Sequence, residues 1–392
     1  MMQRRKHRSV GRRFYIVMSV FLIHLVVYNA CERMSSRVPG ELIQVVEDIK
    51  EHHAPDSRLE LYQIDLKKSG SRIFVMGEMT DSRIKTHLLD SLRKAKPEYT
   101  VVDSVIMLPG KDLKETGYGI VRVSVAQMRR KPARSSEQVS QTLLGTVLRL
   151  YKEKDGFYFV HNWDRYLGWV AKSSLVPVDS LSAARWQEGS LAVCVANYGV
   201  VWDRSHTDGN VIVDLVPGAV LKKVGRKDGW IKVETPDGLT GWVEKDRVID
   251  EAEFQRIRAN PDRIAATACR FLGIPYLWGG TSAKGLDCSG LVQTVFRLNN
   301  VPLPRDANQI VLEGETVDIG DGFGNLQKGD ALFFGSKPDR ITHCAIYLGD
   351  GRYIHSTTSV SKVVMNSLYP DDPLYYEYLH KIIRAAKRIM PE

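Results

Sequence analysis

Three residues in the last third of the chain have the types and spacing to do chemistry together: Cys288, His343 and His355. Cys288 ends a loop-like, Gly-rich run, Pro275-Tyr-Leu-Trp-Gly-Gly-Thr-Ser-Ala-Lys-Gly-Leu-Asp-Cys288. Beyond it the apolar spacing turns helical through Leu291, Val292, Val295 and Leu298. The spacing predicts that Cys288 opens a helix, where backbone N–H groups and the helix dipole stabilise a thiolate. The same N–H groups could hold an oxyanion. The run from Ile341 to Gly349 reads as a strand bearing His343, and Arg352-Tyr-Ile-His355-Ser reads as its partner across a Gly-Asp-Gly turn. A hairpin centred near Gly349 sets His343 directly opposite His355, with Cβ atoms about 4.5–5.5 Å apart on one face. A thiolate on a helix, an imidazole base on a strand and a second imidazole fixing the base's tautomer follow the logic of a catalytic triad. Two histidines in a hairpin are also an ordinary surface pair. A metal site needs a third ligand. Cys288 could supply one, but no Cys/His/Asp cluster at zinc spacing accompanies it.

The elements that must hold these residues are legible around them. Asn260-Pro261 predicts a capped helix start, with Ile264, Ala268 and Phe271 on its inner face. Residues 250–258 read as a charged connector. Before it, the chain repeats itself. Residues 118–178 contain Gly156-Phe-Tyr-Phe-Val160 and then Leu167-Gly-Trp-Val170; residues 190–250 contain Gly229-Trp-Ile-Lys-Val233 and then Thr240-Gly-Trp-Val243. Each copy is a set of short strands with a Lys-Asp-Gly turn before an aromatic strand. The repeated Trp and Phe residues are expected to fill the two cores. A sugar-stacking surface is the alternative use. Further upstream, residues 41–51 have a helical period, 59–66 and 73–79 read as strands around Lys-Lys-Ser-Gly-Ser, 81–95 as an amphipathic helix carrying Ile84, Leu88 and Leu92, and 101–108 as a strand. A small βαβ-like unit fits, and its pattern resembles periplasmic BON modules.

The N-terminus reads as an address. Arg4, Arg5, Lys6, Arg8, Arg12 and Arg13 precede an apolar run from Phe14 to Tyr28, the pattern of a secretory signal. Tyr28-Asn29-Ala30-Cys31 resembles a bacterial lipobox, with Tyr28 where that motif usually has Leu; Cys31 is then a lipidation site. The alternative is an uncleaved anchor, since residues 14–31 contain no Lys, Arg, Asp or Glu. Without those six basic residues the formal charge falls from +9 to +3, and no basic run interleaved with aromatics remains to support nucleic-acid binding. An apolar fraction of 43% and a charged fraction of 26% are those of globular protein, which excludes disorder and a polytopic membrane protein. Five Cys lack framework spacing, which excludes a disulfide scaffold; Cys194, Cys269 and Cys344 read mainly as small buried hydrophobes.

Tyr276-Leu-Trp-Gly-Gly, Leu286-Asp-Cys-Ser-Gly-Leu-Val, Leu303-Pro-Arg-Asp, Lys328-Gly-Asp-Ala-Leu-Phe-Phe, Thr342-His343 and Tyr353-Ile-His355-Ser occur in one order over residues 260–392. In that order they resemble the NlpC-type bacterial cell-wall cysteine peptidases. The repeats resemble tandem bacterial SH3-like modules. The resemblance implies an α+β chain: a papain-like cysteine peptidase domain over residues 251–392, preceded by two small SH3-like β-barrels over 118–178 and 190–250. A small N-terminal α/β unit over 31–117 and a signal peptide or anchor over 1–30 come before them. It implies Cys288 as nucleophile, His343 as base, His355 as third member and Tyr276 as an oxyanion donor, with Asp287 and Ser289 touching substrate and no cofactor or metal. The whole layout is similar to γ-D-glutamyl-L-diamino-acid endopeptidases acting on peptides with a free N-terminal L-Ala. That similarity implies that Glu137, buried, pairs with the substrate ammonium beside Tyr166. Ala307 stands where relatives often have Ser, so a hydroxyl contact is absent there. The implied partners are peptidoglycan-derived peptides in murein recycling, in an exported, membrane-associated protein of the cell envelope. Hydrolysis of intact peptidoglycan, as endopeptidase or amidase, and a catalytically silent wall-binding protein are the competing expectations.

Overall fold

The computed structural model describes residues 37–110, 113, 115–320, 322–337 and 340–389. The described chain divides into two compact units between Leu108 and Pro109.

The first unit contains α1 (Gly40–His53), β1 (Tyr62–Ser69), β2 (Arg72–Met79), α2 (Ser82–Ala95) and β3 (Thr100–Met107). The sheet order is β1-β2-β3, with β1 and β2 antiparallel and β2 and β3 parallel. Asp81 caps α2 by accepting from the Arg83 N–H, which satisfies one of the orphan donors of a helix start. Leu42, Val46 and Ile49 of α1 and Leu88, Leu89 and Leu92 of α2 form the core with Ile73, Val75 and Val105. The turn after β1 is shorter than the Lys67-Lys68-Ser69 cluster suggests. β1 continues through both lysines and reverses only at Gly70-Ser71, where Gly70 has φ 59°. As an edge strand, β1 exposes every second residue, so lysines are tolerated there.

The second unit begins with two seven-stranded sheets. The first contains β4 (Tyr118–Val121), β5 (Val125–Arg129), β6 (Gln138–Leu143), β7 (Val147–Lys154), β8 (Phe157–His161), β9 (Leu167–Ala171) and β10 (Leu175–Val178). Helix α3 (Ser180–Gln187) leads to β11 (Leu191–Cys194), β12 (Gly199–Trp202), β13 (Val211–Leu215), β14 (Val220–Lys227), β15 (Trp230–Glu234), β16 (Thr240–Glu244) and β17 (Val248–Asp250). The orders, β10-β4-β7-β8-β9-β5-β6 and β13-β12-β16-β15-β14-β11-β17, are the same topology read from opposite edges. Asp155-Gly156 and Asp228-Gly229 form equivalent turns with all four φ angles positive (50°, 79°, 39° and 84°), the backbone that matches strand twist in a tight hairpin.

The aromatic filling expected is met in part in the first module, where Phe157 and Trp169 are buried, and not in the second. Tyr158 joins Leu148, Leu150, Val160 and Val170 in the first core, whereas the second is aliphatic, built on Val201, Leu221, Val233 and Val243. Trp230 and Trp242 are only half-buried. The alternation of β15 and β16 turns Val233 and Val243 inward, and Trp242 pairs across the strands with Lys232 and Trp202.

After α4 (Glu251–Phe254) comes α5 (Pro261–Cys269), whose Asn260 cap accepts from the Arg263 N–H at 2.9 Å. Two tiny strands, β18 (Thr281–Ser282) and β19 (Gly285–Leu286), form a hairpin inside the run expected to be loop. Then follow α6 (Cys288–Arg297), α7 (Ala307–Ile310), β20 (Glu315–Val317), β21 (Ala331–Phe334), β22 (His343–Gly349), β23 (Arg352–Thr357), β24 (Lys362–Ser367), α8 (Glu377–Ile382) and β25 (Ile383–Arg388). The six strands of this region form an antiparallel sheet in the order β20-β25-β21-β22-β23-β24. One sheet face, through Phe333, Cys344, Ile346 and Ile354, packs on Ile264 and Phe271 and on Leu291, Val292 and Val295 of α6. The opposite face carries Phe334, Ala345, Tyr347 and Tyr353.

Candidate active site

Cys288 is the first residue of α6, as the periodicity predicts, and Asp287 is its cap. Asp287 Oδ1 accepts from the Gly290 N–H at 2.7 Å. The helix start is pressed onto the preceding loop so closely that a Cβ on Gly290 would lie 1.9 Å from the Gly280 carbonyl oxygen. Glycine at 290 is therefore a packing requirement.

Asp287 and Ser289, expected to touch substrate, take part in an internal network. Arg305, 1% exposed, donates through Nη2 to Asp287 Oδ2 at 2.5 Å and through Nη1 to Asp287 Oδ1 at 3.1 Å. Asp287 Oδ2 also accepts from the Gly279 N–H at 2.9 Å. Ser289 Oγ accepts from Arg305 Nη1 at 2.9 Å, and Arg305 Nε donates to Ser140 Oγ of β6 at 3.2 Å. These two side chains hold the nucleophile turn, and they pair a buried guanidinium that would be costly to leave unpaired.

The Cys288 thiol is held well below its ordinary range. A hydrogen bond from Cys344 contributes most, and the charge and hydrogen bond of His343 add to it, against the opposing effect of burial. Tyr276 is half-buried, and burial together with the nearby Cys288 and Asp287 pushes its hydroxyl up, so it remains a neutral donor.

His343 and His355 meet ring to ring, with His343 Nε2 2.8 Å from His355 Nδ1. They are not directly opposite. The register pairs Ile346 with Ile354 and Tyr347 with Tyr353, and an irregularity follows before Gly349. Extended, this register sets Ala345 against His355 and leaves His343 one diagonal step away on the same face. The hairpin centres on Asp350 rather than on Gly349, so each partner shifts by two, which preserves the face because the side-chain period is two.

Asn366, not singled out by the sequence, completes the chain. Its Nδ2 donates to the Leu374 carbonyl at 3.0 Å, which aims Oδ1 at His355 Nε2, 2.9 Å away. Burial first, then the charge of His343, pushes His355 down to about 3, so it is a neutral imidazole. A neutral His355 that donates from Nε2 to Asn366 has Nδ1 as an acceptor. His343 must then donate from Nε2, and its Nδ1 is left as the base toward Cys288.

At the other end of the site stand residues of the first seven-stranded module. Tyr166, 5% exposed, donates through its hydroxyl to Asp306 Oδ2 at 3.0 Å. Glu137 is exposed rather than buried. Its Oε2 pairs with Arg130 Nε at 2.6 Å, its Oε1 accepts from Trp278 Nε1 at 3.0 Å, and the Arg130 bond holds its carboxyl below the usual range. Asp306, Arg130 and Trp278 were not picked out from the sequence. The signal for Asp306 was present in Leu-Pro-Arg-Asp; Arg130 carried none.

Among the described residues no group of three or more His, Cys, Asp or Glu is arranged to hold a metal ion. Residues 1–30 and Cys31 lie outside the described residues. No described helix is long and apolar enough to cross a membrane.

The profile of the NlpC/P60 family matches residues 273–384. That of the bacterial dipeptidyl-peptidase SH3 domain matches residues 128–175, and that of the bacterial SH3 domain matches residues 205–249. The chain thus carries a domain of the NlpC/P60 cysteine peptidase family behind two SH3 domains. It is 28% identical over 279 residues to dipeptidyl-peptidase 6 of Lysinibacillus sphaericus, covering 68% of this chain and 97% of that protein. It is 35% identical over 167 residues to a gamma-D-glutamyl-L-lysine dipeptidyl-peptidase of Bacillus cereus, covering 41% of this chain and 46% of that one, so the match spans about half of that relative. Among solved structures, an NlpC/P60 family protein from Bacillus cereus shares the fold at TM-score 0.60 and 22% identity, over 70% of this chain and all 100% of that one. An NlpC/P60 endopeptidase from Photobacterium damselae subsp. piscicida aligns at TM-score 0.51 and 15% identity over 87% and 81% of the two chains.

Proposed function

We propose that this peptidase hydrolyses the bond between γ-D-Glu and the diamino acid in murein peptides whose N-terminal L-Ala is free, with Cys288, His343, His355 and Tyr276 as its catalytic machinery. Cys288 Sγ, its proton taken by His343 Nδ1, attacks the γ-carbonyl carbon. The Cys288 backbone N–H and the neutral Tyr276 hydroxyl stabilise the oxyanion. His343 returns the proton to the leaving amine, and a water activated by His343 then hydrolyses the thioester. His355, held by Asn366, keeps His343 in the tautomer that leaves Nδ1 as base. The released fragment is the L-Ala-γ-D-Glu dipeptide, which suits murein recycling.

The observation that carries the substrate assignment is the acidic end of the site, joined to the nucleophile loop. Glu137 is bonded to Trp278, and Asp306 adjoins Arg305, which grips Asp287. The carboxylates of Glu137 and Asp306 are the groups offered to the L-Ala ammonium. The deciding experiment is kcat/KM on L-Ala-γ-D-Glu-diamino-acid peptide, free and N-acetylated. Loss of a charge-assisted hydrogen bond, about 1.5–3 kcal/mol, corresponds to discrimination of roughly 10- to 150-fold. Because Arg130 already pairs with Glu137, Glu137→Gln should narrow this ratio without abolishing it. A wild-type ratio near one would give the site to intact peptidoglycan instead. Cys288→Ala should abolish turnover on either substrate.

We also propose that residues 1–30 export the chain to the cell envelope and that Cys31 is lipidated there. Cys31→Ser should end palmitate incorporation; unchanged membrane association with residues 1–30 still attached would favour an uncleaved anchor.

A further inference from the structure

Tyr166 is held at both ends, by its hydroxyl and by its backbone, and the residue that holds the backbone takes no part in the steps above. The turn from Asn162 to Tyr166 joins β8 to β9 in the first module. The Asn162 N–H donates to the Tyr166 carbonyl and the Arg165 N–H to the Asn162 carbonyl, both at 3.0 Å. Arg165 sits in the left-handed region at φ 64°. Across it, Asp164 Oδ1 accepts from the Tyr166 N–H at 3.1 Å. The other oxygen of the same carboxylate, Oδ2, accepts from Gln293 Nε2 at 3.0 Å.

Gln293 is 2% exposed and lies on α6, the helix that begins with Cys288. Its amide nitrogen also donates to the Leu303 carbonyl at 3.1 Å. Leu303 opens the segment Leu303-Pro304-Arg305-Asp306, and Asp306 Oδ2 accepts from the Tyr166 hydroxyl. The bonds close a ring that runs from the Tyr166 backbone through Asp164, Gln293 and the 303–306 segment to Asp306 and back to the Tyr166 hydroxyl. One turn further along α6, the Arg297 guanidinium lies 4.6 Å from the centre of the Trp163 ring, a contact that docks the same turn on the helix without Asp164.

We propose that Asp164 and Gln293 are positioning residues for the substrate's free amine: they fix the relative placement of Tyr166 and Asp306 and tie it to the helix that carries the nucleophile. The inference rests on the reading of the acidic end as the L-Ala ammonium site. A carboxylate suits position 164 because it accepts at both oxygens and meets two donors. An amide there offers one acceptor and one donor, so either the Tyr166 N–H or Gln293 Nε2 loses its partner. The ring opens with little change of volume, and the Trp163–Arg297 contact keeps the turn docked. A displaced binding group weakens a substrate that uses it and leaves alone one that does not.

The test is kcat and KM of the full chain, Asp164→Asn and Gln293→Met on L-Ala-γ-D-Glu-diamino-acid peptide, free and N-acetylated, with thermal unfolding of each protein. In each variant kcat/KM on the free peptide should fall roughly 2- to 12-fold, the change expected for one hydrogen bond, and mainly through KM. The value on the acetylated peptide should hold, so the ratio of the two narrows. The double variant should lose little more than either single one, because each opens the same ring. Equal losses on both peptides, or additive losses in the double variant, would overturn the proposal. A wild-type ratio near one would refute the ammonium site and this inference with it, whereas a wild-type preference that both variants retain in full would refute the positioning role alone. If Asp164→Asn does not fold, Gln293→Met carries the same comparison.

Discussion

Asn366→Leu is the substitution that most directly probes the hydrogen-bond chain behind His343. Asn366 Oδ1 lies 2.9 Å from His355 Nε2, and His355 is 0% exposed, so water does not replace the lost acceptor. The variant leaves a buried donor unpaired, at a cost of about 1–3 kcal/mol for the present tautomer. His355 can avoid that cost by moving its proton to Nδ1. It then donates to His343 Nε2, which places the His343 proton on Nδ1, where the base is needed. A bias of about 1–3 kcal/mol toward this arrangement lowers the competent population, and with it kcat/KM, by roughly 5- to 150-fold. The loss should fall on kcat more than on KM, since no substrate contact is removed. Asn366→Asp keeps an acceptor toward His355 and should recover most of the rate. The assay is kcat and KM on the γ-D-Glu peptide at several pH values, with thermal unfolding to confirm the fold. A Leu variant with wild-type kcat would refute the tautomer argument, and equal losses in Leu and Asp variants would reduce Asn366 to a packing residue.

Two further perturbations test the framework around the nucleophile. Asp287→Asn leaves Arg305, 1% exposed, without its carboxylate, and should lower stability by about 3–5 kcal/mol in chemical denaturation; a change below about 1 kcal/mol would contradict the buried-pair reading. His355 is pushed down to about 3 in the folded chain from an ordinary 6.5, so the unfolded chain binds the extra proton between these values. Its contribution is therefore fully present above pH 6.5 and is lost as pH falls toward 3. The stability difference between wild type and His355→Gln should shrink on acidification by up to about 1.4 kcal/mol per pH unit, and a difference independent of pH would refute it.

The parts of the site written in local sequence were readable; those that depend on strand neighbours were not. Asp-Cys-Ser-Gly followed by a helical period locates Cys288 at a helix start, because cap and periodicity are local properties. The shared face of His343 and His355 follows from parity, which survives a register error of two. The register itself depends on the irregularity between Tyr347 and Gly349, which leaves no mark in composition. Asn366 was invisible because its role needs a third strand. β24 pairs Val364 with His355 and Asn366 with Tyr353, so Asn366 is a diagonal neighbour of His355. His355 is thus flanked by diagonal neighbours on both sides, His343 and Asn366. The misjudged burial of Glu137 has a similar origin, since its fate turns on Arg130, across a loop whose conformation the residue types do not dictate.

The two SH3 modules show why topology alone does not assign a role. β6 and β13 are the corresponding edge strands of identically ordered sheets, and an edge strand offers unpaired backbone and side chains to whatever lies beside it. β13 leaves Val211 exposed and meets the peptidase region through an Asp214–Lys284 ion pair at 2.7 Å. β6 is instead built into the nucleophile loop. Gln138 Nε2 donates to the Trp278 carbonyl at 3.0 Å, Gln141 Oε1 accepts from the Thr281 N–H at 2.9 Å, and Ser140 accepts from Arg305. A Cβ on Gly279 would lie 2.6 Å from the Gln138 carbonyl oxygen, so the loop's glycine is a condition of this docking. Arg305 in turn grips the cap of the helix that begins with Cys288. The first module is therefore part of the support of the nucleophile. Loosening it from the peptidase region would disturb the thiolate's position and the acidic end together.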